Sequence, residues 1–292
     1  MKYEAIESHS SEFSVRKMCK VLELDVSNYY RWKRNQEKRD GKLLKEKQLI
    51  KKIEDIFENS DRTYGYRVIK EELKQIGEEV SEYKVRRIMR ENGMYPEIQR
   101  KRKPVNYNRG DGKYYDNVVN RKFKTDSKNT VWAGDITYIK TKVGWVYLAV
   151  VVDLYNREVI GYEVSKQINT ELVKRALANA IGRQGVSKNL VFHSDRGSQY
   201  ASKEYQKLLK ENGITGSMSK GGCPYDNSCV ESFFATLKKE RIYRRDYVTI
   251  EDVKRDMFRY IELFYNRKRL HSILGYMSPV AYRLKYDREN VA

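Results

Sequence analysis

The chain has 292 residues, 40% of them hydrophobic and 34% charged, with a formal net charge of +19. That length buries one sizeable core plus one or two small appended domains. An excess positive charge this large attracts polyanions. No apolar run approaches the roughly eighteen residues of a membrane span, and Met1-Lys2-Tyr3-Glu4-Ala5 does not begin a secretory leader, so nucleic acid is favoured over lipid. The three cysteines, Cys19, Cys223 and Cys229, are an odd and sparse set. They argue for a reducing, cytoplasmic setting with nucleoid association, and for buried free thiols rather than a zinc site with His193.

In chain order, Val15, Met18, Cys19 and Leu22 give one helix an apolar stripe. Leu24-Asp25-Val26 forms a turn, and Ser27 is expected to cap a second helix bearing Tyr29, Tyr30 and Trp32, so that residues 1–36 make a helix-turn-helix. A generic helical hairpin would show the same pattern. The charged residues 36–48 read as a linker running into a helix with Leu49, Ile50, Ile53, Ile56 and Phe57. Two further helices follow, one ending at Gly77 and one starting near Ser81 and stopping at Asn92-Gly93. Residues 40–95 thus form a second helical DNA-binding domain. Arg86, Arg87 and Arg90 lie on its last helix as candidate phosphate contacts, or as an ordinary solvated face.

Residues 96–122 read as a basic linker, with Pro96, Pro104 and the run Arg100-Lys101-Arg102-Lys103 placed to follow a phosphate backbone or simply to tether two domains. The periodicity then changes. Val131–Lys140 alternates, Val146–Val152 is nearly continuously apolar, and Glu158–Val164 returns as a third strand. A helix over 170–181, strand 190–192, helix 203–211, strand 214–218 and helix 230–241 follow, then a helical pattern near 250–264 and an irregular end. This order predicts an α/β domain, a mixed sheet covered by helices on both faces, over residues 123–286, with 287–292 as a tail.

Three acids stand out. Asp135 sits inside a strand, where a buried charge needs a partner or a metal. Asp195 follows an apolar strand, although Asp195-Arg196-Gly197 is also ordinary turn chemistry. Glu231 opens a helix, with 35 residues separating it from Asp195, and Ser228-Cys229-Val230-Glu231 also fits a capping box in which Glu231 folds back on its own helix. Brought together, the three carboxylates repel one another, and Mg²⁺ or Mn²⁺ relieves that repulsion. A pair of ions about 4 Å apart suits in-line phosphoryl displacement. Around them, Lys238 falls two turns along the Glu231 helix as a candidate phosphate contact, unless it is merely solvated beside Lys239. Lys220 and Tyr225 lie in the glycine-containing loop before Glu231, a loop that suits DNA or serves only as a connection. His193 is a candidate for orienting phosphate or water, against the alternative of a packed core histidine.

Trp132-Ala133-Gly134-Asp135-Ile136-Thr137-Tyr138, His193-Ser194-Asp195-Arg196-Gly197-Ser198-Gln199-Tyr200 and Asp226-Asn227-Ser228-Cys229-Val230-Glu231-Ser232-Phe233-Phe234 resemble the three signatures of the DDE transposase and retroviral integrase superfamily. The 35-residue gap, Tyr265-Asn266-Arg267-Lys268-Arg269-Leu270-His271 with Ser278-Pro279, and Tyr64-Gly65-Tyr66-Arg67 are similar to its orfB-type insertion-sequence branch. The resemblance implies a ribonuclease-H-like integrase core, Mg²⁺ or Mn²⁺ held by Asp135, Asp195 and Glu231, and recognition of terminal inverted repeats and target DNA. It also implies oligomers on paired DNA ends, and joint action or fusion with an upstream helix-turn-helix and leucine-zipper protein. The ligands of the zinc module of retroviral integrases are missing from this sequence. The competing functions are a DNA-binding regulator with a degenerate core and a ribonuclease-H-like nuclease that cuts without joining.

Overall fold

The computed structural model describes residues 1–97, 114–220 and 224–289 of the chain, the side chains of 224 and 225 excepted. It divides into two compact units, Met1–Pro96 and Glu97–Ala292.

The first unit is all helical: α1 (Lys2–Ser8), α2 (Val15–Val21), α3 (Val26–Asn59), α4 (Tyr66–Gln75) and α5 (Glu82–Glu91). At its start, Ile6, Cys19 and Tyr29 are buried together and Val15, Met18, Leu22 and Trp32 pack on them, so the expected apolar stripe does form a core. Two details differ from expectation. Asp25, not Ser27, caps α3, its carboxylate accepting the amide N–H groups of Ser27 and Asn28. The segment 36–48 is no linker: α3 runs unbroken for 34 residues through it. Its lysines, glutamates and arginines are good helix formers, and the apolar face of α3 resumes at Leu49, Ile53 and Phe57. These pack with α4 and α5, whose buried residues are Ile69, Leu73, Val85, Ile88 and Met89. Ser81 caps α5 as its sequence suggests, accepting the Lys84 N–H.

The second unit carries a five-stranded sheet in the order β3-β2-β1-β4-β5, with β1 Val131–Thr141, β2 Gly144–Asp153, β3 Val159–Ser165, β4 Val191–Ser194 and β5 Thr215–Met218. The first three strands form an antiparallel meander, and β4 and β5 add parallel to β1. Alternation along β1 sends Trp132 and Ile136 to one layer and Val131, Ala133 and Ile139 to the other. The first layer holds α6 (Thr170–Gln184), the short α7 (Ser198–Ala201) and α8 (Lys203–Glu211). The second holds α9 (Ser228–Glu240), α10 (Ile250–Phe258) and a π-helical continuation, Arg259–Tyr265. Gly161 is obligatory where α6 crosses β3, since a Cβ there would lie 2.3 Å from the Ala176 carbonyl oxygen. The sheet and both helical layers match the fold expected of the core.

Its margins were drawn less well by the sequence. The end of the supposed linker belongs to this unit, because Tyr115 packs on Gly216 and Asn117 and Arg121 bond to Asp226. The expected irregular end contains a helix, α11 (Pro279–Glu289), and Arg283 on it reaches buried Glu158 at 2.8 Å. Thus the proposed tail boundary at 287 falls within a helix.

Candidate active site

The register of the parallel pair places the first two acids. β1 and β4 pair Val131 with Val191, Trp132 with Phe192 and Ala133 with His193. That pairing ends at Ala133 and His193; Asp135 lies two residues further along β1, and Asp195 directly follows the last residue of β4. Both are half-buried. Asp195 accepts the Gly197 N–H at 3.0 Å, while burial pushes its carboxyl above the ordinary aspartate range. The phenols of Tyr138 and Tyr200 register both charges. Burial first, then a neighbouring tyrosine, then Asp135 and Asp195 together raise each of them.

Glu231 arrives on α9. Val230, Phe233, Phe234 and Leu237 recur at helical spacing and bury one face of α9 in the sheet's second layer, which leaves Glu231 exposed. The helix begins one residue earlier than a capping box requires. Asn227 is the N-cap and makes no side-chain capping bond, and Ser228 is already helical, so Ser228 and Glu231 do not stand in capping-box positions. Asn227 instead donates through Nδ2 to the Gly134 carbonyl at 3.3 Å, tying the start of α9 to the residue before Asp135. The three carboxylates do not yet form one close group: among the described residues no cluster of three or more Asp, Glu, His or Cys could hold an ion. The structure brings two acids together and sets the third on a helix tethered beside them. The donor set suits a hard divalent cation, being carboxylate oxygens with Asn227 Oδ1, which is buried and has no hydrogen-bond donor among the described residues.

The other expected contacts fare unevenly. His193 is fully buried and cannot meet phosphate from there. Its Nδ1 lies 2.9 Å from Ser217 Oγ and its Nε2 lies 2.8 Å from the Asp226 carbonyl, while burial lowers its pKa and keeps it neutral. Because Ser217 Oγ also accepts the Val118 N–H at 3.0 Å, the ring consistent with all three bonds donates from Nε2 to Asp226 and accepts at Nδ1. Lys238 is only 9% exposed, so the expectation of an open phosphate contact is corrected: its side of α9 faces the protein. Lys220 is exposed, and its backbone N–H donates to Asp226. The Tyr225 side chain and Arg100, Lys101, Arg102 and Lys103 lie outside the described residues. In the first unit Arg90 is exposed, Arg86 lies over the Tyr66 ring at 5.7 Å, and Arg87 is engaged by Glu46 and Glu91 rather than presented as an open cation.

Sequence reading missed Asp226. It is 2% exposed and its carboxylate accepts from Arg121 Nε at 2.8 Å, Asn117 Nδ2 at 2.9 Å and the Lys220 N–H at 3.0 Å. With His193 on its carbonyl, it clamps the entry to α9 against β4, β5 and the 117–121 segment. The available signal was an Asp-Asn pair directly before the helix that bears Glu231. Arg196 was missed too. Its Nε holds the Ser219 carbonyl at 2.8 Å and its guanidinium covers the Tyr114 ring at 4.7 Å, which fixes the segment after Asp195.

Two strands added parallel to an antiparallel meander, with one carboxylate within β1, one directly after β4 and a third on a following helix, make up the arrangement of an integrase-type core. Residues 125–224 and 231–286 match two models of the integrase core domain, and residues 44–102 match an HTH-like domain. The chain is 38% identical over 292 residues to the transposase InsF for insertion sequence IS3A of Escherichia coli (strain K12), with all of both chains covered. It is also 38% identical over 232 residues to the transposase for insertion sequence element IS904 of Lactococcus lactis subsp. lactis (strain IL1403), covering 79% of this chain and 91% of that one. Among solved structures it is similar to the HTLV-2 integrase catalytic core domain in complex with magnesium (trimeric form), at 18% identity and a TM-score of 0.44, covering 55% of this chain and 99% of that one. The chain belongs to the family of IS3-type insertion-sequence transposases.

Proposed function

We propose that this transposase cleaves DNA at the ends of an insertion sequence and transfers the freed strands, with Asp135, Asp195 and Glu231 as its metal-holding carboxylates. The observation that supports this reading is the parallel register of β1 and β4, which ends two residues before Asp135 and Asp195, together with the effect of both charges on the Tyr138 and Tyr200 phenols. Bound Mg²⁺ or Mn²⁺, as two ions in the proposed site, would stabilise charge on the phosphate as it is displaced in line. The protein's own contribution is placement. β1 carries Asp135, Asp195 directly follows β4, and Asn227 holds the start of α9, with Glu231 one turn on, against Gly134. Half-burial raises the cost of two adjacent negative charges and thereby favours a divalent cation between them. Asp226 and Arg196 position the loops that flank the site and do not take part in the chemistry.

DNA is the partner that the net charge of +19 and the HTH-like match support. The element's terminal inverted repeats, a second copy of the chain on the paired ends, and an upstream helix-turn-helix and leucine-zipper protein complete the proposed assembly. The test is purified protein with labelled element ends and Mg²⁺, with and without that upstream protein. Wild type is expected to nick and join, and Asp195→Asn to bind ends without doing either. Equal activity in both would remove the carboxylate assignment, and cutting without joining would make the protein a nuclease.

A further inference from the structure

β1 continues well beyond its pairing with β4. That pairing ends at Ala133, whereas β1 runs to Thr141 and turns into β2, so the β1–β2 hairpin overhangs the strand end where Asp135 and Asp195 meet. The overhang is anchored at its tip, because the Lys142 N–H donates to the Tyr247 carbonyl at 2.9 Å. Tyr247 is in turn buried, and its hydroxyl bonds to Asp256 at 2.7 Å.

One face of this rigid arm carries an aromatic ladder with a lysine in it. Tyr138 stands opposite Tyr147 across the two strands, and Lys140 stands opposite Trp145. The Tyr138 ring meets Tyr147 edge-on at 5.4 Å and Trp145 at 6.5 Å. Tyr147 roots the ladder in the core, while Tyr138 is 53% and Trp145 56% exposed. Lys140, Lys142 and Val143 are exposed around them. Large aromatic rings left open to water are costly unless they serve an interaction. Here they alternate with cations, and Tyr138 lies close enough to Asp135 and Asp195 for both charges to raise its phenol, after burial and Tyr147.

We propose that this ladder is a stacking platform for unpaired bases of the DNA strand being processed, with Trp145 and Tyr138 against base faces and Lys140 on a phosphate. Aromatic faces accept any base, and cations beside them follow the backbone, so the surface suits a frayed or single-stranded end rather than a particular sequence. Duplex DNA keeps its bases stacked internally and exposes a base face only at its terminal pair, so an unpaired extension offers Trp145 more to cover. The proposal rests on the reading that the chain acts on DNA ends, and adds that the last nucleotides at the end are held open.

The test is equilibrium binding of the full chain to a blunt duplex and to the same duplex with a short 3′ single-stranded extension carrying 2-aminopurine. Wild type is expected to favour the extended duplex and to quench the 2-aminopurine. Trp145→Ala should lose roughly tenfold in affinity for the extended duplex, and the quench with it, while keeping its affinity for the blunt one. Trp145→Phe should retain most of both. Equal binding of the two duplexes by wild type, parallel loss on both by Trp145→Ala, or a smaller oligomer with unchanged discrimination would each overturn the proposal. Asp195→Asn protein should quench like wild type. A failure of DNA cleavage with the quench intact would therefore count against the active-site reading and leave this one standing.

Discussion

Two carboxylate-rich regions of the second unit show opposite electrostatic solutions. Behind the sheet, Glu240 accepts Arg269 through both Nε and NH2, at 3.1 and 2.7 Å, and the Tyr260 hydroxyl at 2.8 Å. Asp256 is treated alike by Arg241 and Tyr247. Just beyond β4, Asp195 accepts a backbone amide and burial pushes its carboxyl upward, and its charge and that of Asp135 both act on the Tyr138 and Tyr200 phenols. The first region spends its charges on holding the C-terminal segment to the core. The second keeps carboxylates close together, an arrangement that is useful for binding a cation and poor for stability.

The largest way to break this comparison is to swap the outcomes. Asp195→Asn is expected to lower cleavage and joining by about a thousandfold or more, with little change in melting temperature, as read by a labelled-end assay beside a thermal melt. Arg269→Met should do the reverse: leaving Glu240 buried without its guanidinium costs about 3–5 kcal/mol of stability, measurable by urea titration, and Glu240→Gln in the same protein should restore part of it.

A third prediction concerns Asp153, 3% exposed and accepting the N–H groups of Asn129 at 2.8 Å and Tyr155 at 2.9 Å. Burial, offset in part by those two bonds, raises its pKa to about 6. A folded-state pKa above the unfolded value stabilises the protein below about pH 4, and that contribution fades as pH rises through about 6. The difference between wild type and Asp153→Asn should therefore change by up to about 3 kcal/mol across that window; a flat difference would contradict the shift.

Asp226→Ala tests the clamp between the two regions. It should cost about 1–3 kcal/mol of stability and lower cleavage by releasing the entry to α9, while Asp226→Asn restores part of both. The smallest effect expected is at Ser228. Since no capping box forms there, Ser228→Ala should move stability by less than about 0.5 kcal/mol, and a loss near 1 kcal/mol would show that the cap exists in solution.

Much of this could be read along the chain. Alternation marked β1, continuous apolar residues marked β2, and the helical spacing of Val230, Phe233, Phe234 and Leu237 marked α9, because burial on one face imposes a period that local composition records. Asp135 was legible for a similar reason, since a carboxylate inside a strand is costly enough to stand out, whereas Asp195 and Glu231 stood out only through the resemblance of their motifs and spacing. Caps and breaks were less legible. Asp25 and Ser27 are both good capping residues two positions apart, and a charged stretch such as 36–48 has the composition of a tether and of an exposed helix alike.

By itself, then, the sequence determined most of the core's strands and helices, because these follow from periodicity and residue chemistry within short windows, and it marked the candidate acids through their motifs. Only the tertiary structure decided which groups meet. It paired β1 with β4, up to two residues before Asp135 and Asp195, through a strand register between segments far apart in the chain. It buried His193 beneath Asp226, turned Lys238 inward, and left Tyr138 and Trp145 exposed on a hairpin that outruns its neighbour. Those outcomes depend on long-range packing and on where one strand ends beside another, and no local pattern encodes either.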